Sequence, residues 1–385
     1  MAQAWTPQPF AISVPEPELE DLRRRLQMTR LPDEVPDSAW GLGTNLSYIQ
    51  ELVAYWADEF DWRAQERRLN AFAQYRIQRD DLTLHYLHVP GVGPQPMPLL
   101  LIHGWPGSIV EFHKIIGPLT NPAAHGGDPQ DAFTVVAPSL PGYGFSHAQG
   151  QRRYRIEEIA EIFVKLMTEV LGYPKFAVQG GDWGSFVAGR LGQAHTDQII
   201  GVHLNMIPVA PHPSDRANLS EAETAYLKQA EAFFAEESGY QVIQGTKPQT
   251  LAYGLTDSPV GLAAWITEKF YSWSDCRGDI EAAVSRDDLL TNIMVYWVTR
   301  TINSSFWLYH QLRHKPWRLG RGEKIAAPTA VAAFPGEIFR PPREWAARVC
   351  NLQQWTAMPS GGHFAALEAP DALVGDVRKF FRTLR

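Results

Sequence analysis

The sequence predicts an α/β protein built on a mostly parallel sheet flanked by helices, with an inserted helical cap. Three observations carry that expectation. Short apolar runs at residues 98–102, 133–137, 176–179 and 199–204 alternate with helical patterns, the rhythm of a doubly wound parallel sheet. From about 206 to 320 the alternation stops, and mainly helical segments dense in aromatics follow, among them Tyr226, Phe233, Trp265, Tyr296 and Trp307. Strand character then resumes at 329–334 and 352–358, each run followed by a polar loop and a helix.

Taken in order, residues 1 to about 45 are rich in proline and turns but contain a helical pattern over 17–26, with Leu19, Leu22 and Leu26 on one face and Arg23, Arg24 and Arg25 toward solvent. Ser47 and Gln50 have the spacing of a capping box, and Ile49, Leu52, Val53, Trp56 and Phe60 recur at helical intervals. Residues 73–89 read as two strands about a turn at Asp80 and Asp81, and the run at 98–102 as a strand buried on both faces. A helix is expected over 156–171, and another over 185–192, where Gly184, Ala188 and Gly192 form a ridge of small residues. The expected division is an N-terminal segment over 1–90, a core over 91–205 and 321–385, and the cap over 206–320.

A chain of 385 residues, 45% of them hydrophobic, buries a large core in one sizeable domain with insertions or in two closely joined ones. A net charge of −7 without a long basic run argues against nucleic acid or an anionic membrane as partner and favours a small neutral substrate. Cys276 and Cys350 lie far apart, so no disulfide framework is expected. No run approaches the roughly 18 apolar residues of a membrane span. The N-terminus has neither the basic nor the apolar region of a leader, so a cytoplasmic location is expected.

The chemistry centres on Gly-Gly-Asp-Trp-Gly at 180–184, between a strand and a helix. That is the setting of the nucleophile elbow in an α/β-hydrolase, with Asp182 where esterases carry serine. A carboxylate there forms an alkyl ester, so it attacks an sp3 carbon bearing a leaving group. Freeing the ester requires an activated water. Glu337 and His363, each on a loop after a later strand, complete the order nucleophile, acid, histidine, and fit better than Asp215, Asp257 or Glu368. The backbone N–H groups of Trp105, in His-Gly-Trp-Pro at 103–106, and of Trp183 are the expected oxyanion donors. No metal site is expected: His85 and His88 point to opposite faces of a strand, and His310 and His314 share a helical face without a third ligand.

The leaving group separates two readings. A halide needs only N–H donors, which the indoles of Trp105 and Trp183 supply. An epoxide oxygen leaves as a basic alkoxide and needs a proton, which phenols suit. Six cap tyrosines, at 226, 240, 253, 271, 296 and 309, are open candidates on spacing alone.

Several segments together resemble the microsomal-type epoxide hydrolases and their soluble relatives. They are residues 46–56 with Phe60-Asp-Trp-Arg63, His103-Gly-Trp-Pro106, Gln179 to Ser185, Gly361 to Ala366, and the cap segments at 237–248, 257–264 and 287–293. The resemblance implies a ring-opening pair at Tyr240 and Tyr309, an acid at Glu337, an N-terminal meander wrapping cap and core, and no cofactor. No N-terminal membrane anchor is expected, the one departure from the family's pattern. The expected activity is hydrolysis of a small hydrophobic epoxide by water to a vicinal diol, by a monomer or a homodimer. Haloalkane dehalogenation and a non-catalytic ligand-binding hydrolase fold are the alternatives.

Overall fold

The computed structural model describes residues 5–79 and 81–385, so Asp80, half of the expected turn, lies outside the described residues. Among the described residues nine strands form one sheet: β1 (Gln8–Phe10), β2 (Gln74–Arg79), β3 (Leu82–Val89), β4 (Met97–Ile102), β5 (Phe133–Pro138), β6 (Phe176–Gly180), β7 (Ile199–Leu204), β8 (Ile325–Ala333) and β9 (Cys350–Ala357), in the order β1-β2-β3-β5-β4-β6-β7-β8-β9. The first three strands and the β3–β5 pair are antiparallel, and the pairs from β5 to β9 are parallel. Every residue of β5 and β6 is buried, because helices cover both faces of a parallel sheet.

The helices are α1 (Glu16–Gln27), α2 (Leu46–Asp58), α3 (Trp62–Asn70), α4 (His113–Thr120), α5 (Ile156–Lys165), α6 (Asp182–Ala194), α7 (Glu221–Glu236), α8 (Gly239–Thr246), α9 (Pro248–Asp257), α10 (Pro259–Trp273), α11 (Ile280–Ala283), α12 (Arg286–Thr299), α13 (Ile302–Ser305), α14 (Trp307–His314), α15 (Arg343–Val349), α16 (Ala365–Glu368) and α17 (Pro370–Arg382). On one face of the sheet α5 and α6 join the larger apolar core, which continues into the cap through Phe270, Ile293 and Phe306. On the other, Ile116 and Leu119 of α4 meet Val377 and Phe381 of α17.

The N-terminal segment wraps both parts. β1 and β2 extend the sheet, while α1, burying Leu19, Leu22 and Leu26 as its periodicity predicts, packs on α2 and on α10 of the cap. Two local expectations are corrected. The cap of α2 is Asn45, whose side chain accepts the Tyr48 N–H; Ser47 lies inside the helix and donates to Asn45 Oδ1. The helix expected over 156–171 ends at Lys165 and widens into a π-helical turn at Leu166–Val170.

The order in which strands are added to the sheet reverses between the parallel neighbours β4 and β6: β5 lies on one side of this pair and β7 on the other. In open α/β sheets the crevice at the carboxyl ends of such a pair receives ligands. The loops leaving β4 and β6 carry His103–Trp105 and Asp182.

Candidate active site

Asp182 sits at φ +46°, a left-handed conformation that costs a non-glycine residue energy and thrusts its side chain out of the turn. The neighbouring glycines make the turn possible. A Cβ on Gly184 would stand 1.9 Å from the Ile102 carbonyl oxygen, so only glycine lets α6 start this close to β4. The loop after β4 crosses at equal closeness, since a Cβ on Gly104 would stand 2.2 Å from Asp182 Cβ. That approach brings the Trp105 N–H to Asp182 Oδ1 at 2.7 Å. No hydrogen bond joins the Trp183 N–H to this carboxylate among the described residues.

Glu337 follows β8 and His363 follows β9, and an isolated parallel bridge between Gly336 and Gly362 holds the two loops together. His363 Nδ1 bonds Glu337 Oε1 at 2.8 Å, and Nε2 faces Asp182 Oδ2 at 3.5 Å. Glu337 Oε1 also accepts the Ile338 N–H at 2.7 Å, and the His363 N–H donates to the Trp273 carbonyl at 2.9 Å, tying the histidine to the end of α10. Burial disfavours the imidazolium, but the Glu337 and Asp182 carboxylates outweigh it and hold the His363 pKa well above its ordinary value.

The other candidate acids are engaged elsewhere. Asp215 accepts the Gly322 N–H, and the exposed Asp257 pairs with Arg25. Glu368 accepts the N–H groups of Asp275 and Phe364, bracing the histidine loop, with burial pushing its pKa up to about 7.

Two of the six tyrosines face Asp182. Tyr240 on α8 and Tyr309 on α14 are buried, their rings 5.5 Å apart at 81°. Trp105 stacks on Tyr240 at 5.5 Å and meets Tyr309 edge-on, while Trp183 meets Tyr309 edge-on at 4.8 Å. Burial, with the Asp182 charge adding to it, raises both phenol pKa values well above the ordinary range, so both carry their protons. The other four have different surroundings. Tyr296 donates to the Gly107 carbonyl, Tyr271 stacks on Trp40, Tyr226 packs edge-on against Trp345, and Tyr253 is largely exposed. A cavity of about 220 Å³ lined by Asp182, Trp183, Phe186, Tyr226, Tyr240, Tyr309 and Leu312 lies over the carboxylate.

Sequence reasoning missed three polar groups beside this site, two of them, Lys269 and Gln179, buried. Lys269 on α10 places its ammonium 4.5 Å from the centre of the Tyr240 ring. Gln179 at the end of β6 bonds Asn205. Glu111, just after the His-Gly-Trp-Pro loop, is within the electrostatic reach of both Asp182 and His363. The available signal was a carboxylate inside the apolar run Ile-Val-Glu-Phe at 109–112. Elsewhere, His310 and His314 stack on each other at 4.1 Å, and among the described residues no group of three His, Cys, Asp or Glu side chains is arranged to hold a metal.

Fold and site together define an α/β-hydrolase with a carboxylate in the nucleophile elbow, beneath an aromatic helical cap. Family profiles described as epoxide hydrolase N terminus and as alpha/beta hydrolase fold match residues 7–112 and 97–263. Epoxide hydrolase 1 of Oryctolagus cuniculus is 38% identical, over 97% of this chain and 88% of that protein. The crystal structure of juvenile hormone epoxide hydrolase from the silkworm Bombyx mori superposes with a TM-score of 0.90 at 31% identity, covering 100% of this chain and 96% of that one. The Aspergillus niger epoxide hydrolase structure gives 0.84 at 30% identity, covering 99% and 97%. The chain belongs to the epoxide hydrolase family and is an epoxide hydrolase. Among the described residues no helix is long and apolar enough to cross a membrane.

Proposed function

We propose that this enzyme opens a small hydrophobic epoxide through an alkyl ester on Asp182. The observation that carries the reading is the division of labour on one carboxylate. Oδ1 is held by the Trp105 N–H at 2.7 Å, and Oδ2 faces His363 beneath the two tyrosines. Oδ2 attacks a ring carbon from behind, the carbon–oxygen bond breaks, and the departing oxygen takes a proton from Tyr240 or Tyr309. The His363 imidazolium gives its proton up to the tyrosinate, and water then attacks the ester carbon at Asp182 Cγ while the freed Nε2 takes its proton. Trp105 N–H holds the oxyanion at Oδ1, with Trp183 N–H as the proposed second donor. Collapse expels the diol oxygen, which is protonated by His363, and the proton left on the Asp182 carboxyl passes to the imidazole, restoring the imidazolium and the Asp182 anion. Glu337 orients the imidazole and balances its charge.

Halide release is less well supported. The indole N–H groups of Trp105 and Trp183 have no partner among the described residues, but those of Trp56, Trp62 and Trp273 share that state, so it singles out no halide site. A single turnover in oxygen-18 water tests the ester. Label is expected on the Asp182 carboxyl, because water attacks the enzyme's carbon, and His363→Gln is expected to accumulate the adduct. Label confined to the diol would refute the mechanism.

A further inference from the structure

We propose that a second, smaller cavity beside Asp182 seats the hydrolytic water, and that Glu111 and Gln179 hold it against the ester carbon. This rests on the ester reading above. The cavity is about 20 Å³, room for a single water, and is lined by Glu111, Gln179, Asp182, Asn205 and His363. The substrate cavity is walled by aromatics and holds the alkyl group after ring opening, so water needs another seat.

Three polar side chains lining the cavity, Gln179, His363 and Glu111, fit a water bound there. Gln179 is 2% exposed; its Nε2 donates to Asn205 Oδ1 at 3.0 Å, and its Oε1 has no hydrogen-bond partner among the described residues. A buried acceptor in that state is a seat for a donor. His363 Nε2 is equally buried and faces Asp182 Oδ2 at 3.5 Å, so once Asp182 is esterified and the ring has lost its proton this nitrogen is an acceptor for the water. Glu111 arrives from the far side. A Cβ on Gly107 would lie 1.6 Å from Glu111 Oε1, so the glycine leaves the volume that the carboxyl fills, where it accepts a hydrogen bond from the Gly104 backbone.

The charged and titratable groups facing Glu111 are His363, Asp182 and Tyr296. Burial pushes the Glu111 pKa up to about 8, so at neutral pH the group carries a proton and donates. A water in the cavity then donates to His363 Nε2 and to Gln179 Oε1 and accepts from the Glu111 hydroxyl. Its remaining lone pair points at Asp182 Cγ. In the attack one O–H proton passes to His363, the new oxygen–carbon bond forms at Cγ, and Glu111 keeps its proton. Above its pKa, Glu111 becomes an acceptor and sets a negative charge beside the developing oxyanion, so ester hydrolysis slows.

The test is rapid-quench kinetics with styrene oxide, following the enzyme adduct by intact mass. In Glu111→Leu and in Gln179→Met, alkylation is expected to stay within about twofold of wild type while ester hydrolysis slows by about tenfold or more, so the adduct accumulates. Glu111→Gln keeps a donor in place. It is expected to recover hydrolysis to within about threefold at neutral pH and to lose the decline that wild type shows above about pH 8. The two lining positions are independent, so failure of one variant to fold leaves the other to decide. Equal slowing of both steps, or unchanged hydrolysis, overturns the water seat while an adduct in His363→Gln leaves the ester standing. If no adduct forms even in His363→Gln, the ester reading falls and the water seat with it.

Discussion

His363 lies between two carboxylates, Glu337 at 2.8 Å and Asp182 at 3.5 Å, and that position sets the order of its work. In the free enzyme burial opposes the imidazolium, but the two anions keep it protonated well above the ordinary histidine range. A protonated ring is no base; it stabilises Asp182 as an anion ready to attack. Once Asp182 is esterified, one anion is gone while burial remains, so the pKa falls, the ring gives its proton to the tyrosinate left by ring opening, and it can then take one from water. Asp182→Asn imitates the uncharged ester. In that variant the His363 ring protons, followed by NMR, are expected to titrate at lower pH than in wild type, and an unchanged midpoint would sink the argument. The candidate site was legible where chemistry is local in sequence: the elbow marks Asp182, and strand-end loops mark Glu337 and His363. It was illegible where choice depends on the fold. On spacing alone Tyr296 and Tyr309 look equivalent, and only the family resemblance set Tyr309 apart, yet one donates to a backbone carbonyl and the other faces the nucleophile.

Among the elements, α2 shows why boundaries are harder to read than existence. Asn45 and Ser47 are both good cap residues. The choice is made by a distant residue, since Glu34 Oε1 accepts the Leu46 N–H at 2.8 Å and fixes the first turn one residue after Asn45. Asn45→Ala is therefore expected to destabilise the protein by about 1 kcal/mol in urea denaturation, and Ser47→Ala by much less; the reverse ranking would restore Ser47 as the cap. The central strands were legible because a run such as 98–102 is apolar on both faces, which only a covered parallel sheet accommodates. The strand Gln8–Phe10 was not. It is three residues of mixed exposure, and it exists because the edge of β2 supplies its partners.

For the whole molecule, the question is what holds a cap bearing Tyr240 and Tyr309 over a core bearing Asp182. Helix α12 presents Asp288, Asn292 and Tyr296 at intervals of four, a polar stripe on a largely buried helix. Asn292 donates to the Pro106 carbonyl and accepts from Ser108, and Tyr296 donates to the Gly107 carbonyl, so α12 grips the loop that carries Trp105. Asp288, its side chain 3% exposed, contacts Arg68 of α3 at 2.9 Å, His113 at 3.2 Å and Lys114 of α4 at 3.1 Å, joining N-terminal segment, core and cap. Burial alone would raise its pKa, but His113, Lys114 and Arg68 reverse the effect and hold it well below the carboxylate range. A depressed pKa contributes stability above the unfolded-state value that is lost as pH falls through the folded-state value. Asp288→Asn leaves these basic groups without their anion. Removing one partner from a buried pair costs about 3–5 kcal/mol, and partial exposure of Arg68 and Lys114 reduces the expected loss to roughly 2 kcal/mol. The difference between wild type and variant in urea denaturation should begin to close as pH falls below about 4, narrowing by about 1 kcal/mol by about pH 3, as wild-type Asp288 loses its advantage. A difference that stays constant over that range would mean that the cost of the substitution is one of packing, and that charge does not fasten the cap to the core.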